Sequence, residues 1–125
     1  MNAKHHFNII NKICFKNNLR KCNIIFKKLS DCYGEFSGFG SKSDKVIKLK
    51  VPSIAIKKDK RMSDKMLISI LAHEMLHYSE WGTYISSREN KTMHTKKFCR
   101  DEKAIMQKLA DYYRLDMTVF AEREK

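Results

Sequence analysis

Within the segment from Ser63 to Glu80, the run from Met66 to Tyr78 is apolar apart from Ser69, yet it carries His73, Glu74 and His77. Met66, Leu67, Ile70, Leu71, Met75 and Leu76 recur at helix-like spacing, Ser63 and Asp64 are N-cap residue types, and Gly82 after Trp81 is a stop signal. The segment predicts one helix lining a cleft over a core. On a helix, positions i and i+4 share a face, so the imidazoles of His73 and His77 can converge on one small ion. Glu74 can then reach a water on that ion without ligating it. Zinc bound in this way acidifies a water, and the glutamate is placed to take its proton. The competing reading is an ordinary amphipathic helix with two histidines at its polar boundary. Two histidines at that spacing with a glutamate between them, on an otherwise apolar helix, favour the metal.

The rest of the 125 residues supports a single α+β domain spanning 1–125, with a core over about residues 5–113 and a short charged tail. Ala3 to Asn18 reads as a helix carrying Phe7, Ile10, Ile13 and Cys14 on one side. Cys22–Phe26, Tyr33–Phe39 and Val46–Val51 read as three short strands of an antiparallel sheet, the last closed by Pro52. The glycines of the second strand permit close backbone approach. Ser53–Ile56 reads as an apolar extension or turn. Residues 82–91 read as a loop, and a last helix from Thr95 to Tyr113 repeats Phe98, Ile105, Leu109 and Tyr112 on one face; the tail from Leu115 can form a further short helix.

The hydrophobic fraction of 42% suits a globular core, and the charged fraction of 32% argues against a membrane protein. No run approaches the length of a membrane span, and no apolar leader with a cleavage site opens the chain, so the expectation is an intracellular monomer. Cys14, Cys22, Cys32 and Cys99 form no CxxC pair and read as buried free thiols. The net charge of +12 is spread along the chain and attracts polyanions, of which nucleic acid is the commonest inside cells. Lys57, Lys58, Lys60, Arg61, Lys91, Lys96 and Lys97 are the candidate contacts, and Trp81 is a candidate platform for an unpaired base. Codon bias toward lysine and asparagine competes with the first reading, and plain core packing competes with the second.

Catalytic zinc usually takes three protein ligands and keeps one open position. Of the five histidines, His5, His6 and His94 remain. His5 and His6 lie near the terminus, whereas His94 stands at the junction of the loop and the last helix, where a ligand can face back across a cleft. From spacing alone, an exposed loop histidine competes evenly.

The run Met93-His94-Thr95-Lys96-Lys97-Phe98 resembles the H-x-x-x-F that follows HExxH in SprT-like metalloproteases, the group of bacterial SprT-type proteins and the eukaryotic DNA–protein crosslink protease Spartan. Phe7-Asn8 with Phe15-Lys16-Asn17-Asn18-Leu19, Tyr33-Gly34-Glu35-Phe36, Val46-Ile47-Lys48-Leu49 and Met62–Leu67 extend the likeness upstream. The resemblance implies a zincin-like minimal metalloprotease domain with one catalytic zinc ion held by His73, His77 and His94, and with Glu74 as general base and acid. It implies a protein substrate bound or crosslinked to DNA. Two departures stand out: Met93 and Thr95-Lys96 replace the glycine and Gly-Pro that many relatives place around the third histidine, and the cysteine-rich zinc ribbon found in many members is absent.

The expected activity is therefore zinc-dependent endopeptidase cleavage of DNA-associated proteins. Tyr78, Tyr84 and Tyr112 are candidates for holding the oxyanion, each with core or rim packing as the competing role. The alternative from another class is a non-catalytic zinc-containing DNA-binding adaptor, which would have no use for Glu74. A magnesium nuclease fits less well, because histidines with few neighbouring carboxylates suit zinc.

Overall fold

The computed structural model describes residues 3–42, 45–80 and 95–114. Its elements run α1 (Ala3–Phe15), β1 (Asn23–Lys27), β2 (Gly34–Lys42), β3 (Lys45–Lys57), α2 (Asp64–Ser79) and α3 (Lys96–Tyr113). The expected loop at 82–91 and the tail beyond Leu115 lie outside the described residues.

Helix α2 is the centre of the molecule. The Ser63 hydroxyl accepts from Met66 N at 3.1 Å, and Asp64 sits in the positively polarised first turn, so the start is capped as its residue types predict. Every residue from Leu67 to Tyr78 is buried. The helix packs on β2 and β3 and also against α1 and α3. A helix apolar on all faces needs such all-round cover.

The sheet is mixed, not antiparallel. Its order is β1-β3-β2, with β2 antiparallel and β1 parallel to the central β3. Alternation of side chains fixes which face a strand buries but not its direction. The central place goes to the strand whose residues are most deeply covered: Ile54, Ala55 and Ile56 are all buried, and the two isoleucines reach 0% exposure. With β2 hairpinned onto one side of β3, β1 takes the other side and pairs parallel to it.

Strand β3 also continues through Pro52, where a stop was expected. Pairing with β1 begins only at Ser53, and the ladder to β2 is irregular between Ser37 and Phe39. Proline, lacking an N–H, is tolerated beside such an irregularity.

Helix α1 buries Phe7 and Ile10 and ends at Phe15, short of the expected Asn18, because Lys16 and Asn17 take left-handed backbone conformations (φ 52° and 61°). The following turn is tied down by Asn11. Its side-chain amide donates to Leu19 O at 2.8 Å and accepts from Leu19 N at 3.1 Å, imitating a backbone pair. No helix among the described residues is long and apolar enough to cross a membrane.

The four cysteines are half-buried. Burial pushes the thiols of Cys14 and Cys22 up to about 11.

Two outcomes are expected. Asn11→Ala leaves the Leu19 amide and carbonyl without their partner and lowers unfolding free energy by about 1–3 kcal/mol in urea titrations. The raised thiol values mean that the folded state binds these protons more tightly than the unfolded chain. Their contribution to stability is thus fully present below the ordinary thiol range and is lost as pH rises toward 11. Native-state alkylation of Cys14 and Cys22 at pH 8 should be slow and should accelerate on denaturation, as peptide mapping by mass spectrometry would show.

Candidate metal centre

His73, Glu74 and His77 are 1%, 3% and 7% exposed, so three polar side chains share the interior with the core. The two imidazoles lie edge to face with ring centroids 4.9 Å apart, as i and i+4 placement on α2 dictates.

Helix α3 supplies the wall opposite them. Thr95 caps it by accepting from Phe98 N at 3.1 Å. Phe98, fully buried in the first turn, stacks on His77 at 4.4 Å between centroids and meets His73 edge-on at 5.1 Å. One turn later, Glu102 places Oε2 against His73 Nδ1, with both side chains buried. Lys97, also on α3, donates to Asp101 at 2.8 Å and to Glu80 at 3.2 Å; these hydrogen bonds, that to Asp101 first, raise its pKa and join the end of α2 to the start of α3.

The sheet supplies the third side. Gly34, at the start of β2, lies so close to α2 that a Cβ there would stand 2.7 Å from Ile70 Cγ2 and 3.1 Å from Glu74 Cγ and Oε2. The close approach expected of a strand glycine occurs here, against the central carboxylate of the motif.

The pair of imidazoles fits a small cation that prefers nitrogen ligands. An imidazole protonated on Nδ1 carries its lone pair on Nε2, and a carboxylate on Nδ1 is the usual companion of a metal-bound histidine. His94, the expected third ligand, lies outside the described residues, among which no group of three His, Cys, Asp or Glu residues is arranged to hold a metal.

The remaining expected site residues fall in several places. The Tyr78 hydroxyl donates to Arg20 O at 3.2 Å and its ring stacks on Phe36 at 5.2 Å; burial raises its pKa. Tyr112 is 56% exposed and packs edge-on to Tyr113. Lys57 lies over the Tyr33 ring, while Lys58, Lys60 and Arg61 are exposed on the approach to α2. Lys96 and Lys97 are exposed near the other end of α2, which is about 24 Å long at 1.5 Å per residue. Trp81, Tyr84 and Lys91 lie outside the described residues.

Sequence reasoning missed Glu102. The signal was present: a glutamate four residues after Phe98 and three before Ile105 interrupts the apolar face of α3. No protein-family model matches the chain, and no curated protein matches it either.

Gly34→Ala forces Ile70 and Glu74 to move and should cost about 1–3 kcal/mol, as overpacking does. An unchanged urea midpoint in the variant would contradict this close packing.

Proposed function

We propose that the chain is a zinc-dependent endopeptidase with a zincin-like, SprT-like site, and that it acts on proteins bound or crosslinked to DNA. The observation that carries the reading is the burial of His73, Glu74 and His77 side by side, with the carboxylate pressed against the first residue of β2. A zinc ion held by His73, His77 and His94 would polarise a peptide carbonyl and make a bound water more acidic.

The chain's own residues do the rest. Glu74 takes the proton of the attacking water and delivers it to the leaving amine nitrogen. Phe98 packs against both imidazoles and fixes the planes of their rings. Among the described residues β2 is an edge strand with β3 as its one neighbour, the kind of strand that can hold an extended peptide, and it starts beside Glu74. This supports a peptide as the substrate class. His94 precedes Thr95, the cap of the helix that carries Phe98 and Glu102, and this supports its place as third ligand.

The DNA part of the reading rests on the net charge of +12 and on the exposed Lys58, Lys60, Arg61 and Lys96. A basic protease held on a polyanion meets proteins bound to the same polyanion.

Wild type and Glu74→Gln, both assayed for zinc content, should differ by about 100-fold or more in cleavage of a DNA-bound basic protein. Cleavage by wild type should be stronger with DNA present than without it. Equal zinc in both proteins with no cleavage under any DNA condition would overturn the protease reading in favour of a zinc-containing DNA-binding adaptor.

A further inference from the structure

Glu102 stands on the apolar face of α3 among Phe98, Ile105 and Leu109 at 2% exposure, where a carboxylate costs free energy that an apolar residue would not. Among the described residues its one ion-pair partner is the His73 ring, so no lysine or arginine explains its place there. Its Oε2 meets His73 Nδ1 from 29 residues away, and its buried Oε1 has no hydrogen-bond partner among the described residues. Phe98, one turn earlier on the same helix, lies edge-on against the same ring. Two side chains of α3 thus bear on one imidazole of α2.

We propose that Glu102 is the positioning residue of the site: its carboxylate keeps the proton of His73 on Nδ1, so that the lone pair of the ring sits on Nε2, while Phe98 fixes the plane of the ring. This rests on the metal-site reading of His73 and His77. It goes beyond that reading by assigning the ring's tautomer and orientation to a residue outside the HExxH segment, carried by the helix that follows the third candidate ligand. Glu102 touches the outer nitrogen of a ligand, so it acts through His73 and not on the substrate.

The test compares wild type, Glu102→Gln and Glu102→Ala, using zinc alone as the probe in competition with a chromophoric chelator. Zinc affinity should fall by about 10–100-fold in Glu102→Ala, and by less in Glu102→Gln, whose amide oxygen can still accept from Nδ1–H. In metal-free protein, histidine nitrogen chemical shifts should report the Nδ1-protonated ring of His73 in wild type and Glu102→Gln, and a mixture of tautomers in Glu102→Ala. Circular dichroism identifies an alanine variant that fails to fold, in which case Glu102→Gln and the wild-type tautomer decide. Zinc binding by wild type with unchanged affinity and tautomer in the variants overturns the positioning role and leaves the site reading intact. Wild type that binds no zinc overturns both. Altered ligand-field bands of cobalt-substituted Glu102→Gln would make Glu102 a direct ligand and overturn the positioning role.

Discussion

A helix with no solvent face that carries two imidazoles and a carboxylate is the constraint around which this molecule is arranged. Moving such groups from water into a packed interior is unfavourable unless each finds a partner. Residues 67–78 of α2 are buried throughout, so those partners must come from elements packed onto it. Helix α3 brings Glu102 to His73 and the ring of Phe98 to both histidines, and the sheet brings the backbone of Gly34 to Glu74. A purely apolar α2 would pack with less difficulty. Retaining three polar groups where they weaken the core is the pattern expected of a site kept for chemistry.

The layering follows from the same demand. The sheet lies against α2 through the fully buried Ile54 and Ile56 of its central strand. Strand β2 is thereby left on the edge nearest Glu74, and β1 is pushed to the far edge. Had β2 been central, the backbone beside Glu74 would already be paired on both sides and could not receive an extended chain.

Much of this was legible from residue types. Ser63 and Thr95 cap their helices as N-cap residues do, and the limits of α2 and α3 fall within a residue of the expected ones. That three strands are present followed from β-rich and alternating runs. Strand direction did not, because alternation is the same for parallel and antiparallel partners, and Pro52 hid the continuity of β3 because an interruption in pairing does not show in composition. Of the site, the α2 residues were readable from spacing within one helix. Glu102 was not, since its role depends on a contact across 29 residues that no local period encodes. Tyr112 keeps the helical period of α3, yet it lies beyond the cover of the core and is 56% exposed.

The lysines show where counting charges falls short of placing them. Lys57–Arg61 and Lys96–Lys97 look like two parts of one basic surface in the sequence, but they flank opposite ends of a helix about 24 Å long. That separation exceeds the screening length of about 8 Å at physiological salt, so each group acts on its own. Within each, part of the charge is already engaged: Lys97 bonds to Asp101 and Glu80, and Lys57 lies over Tyr33. At the sheet end, Lys27, paired in register with Lys57, bridges to Glu35 at 3.1 Å. A short compact anion would therefore meet only a few unengaged charges at either end. Only a polyanion longer than that separation could meet both groups at once.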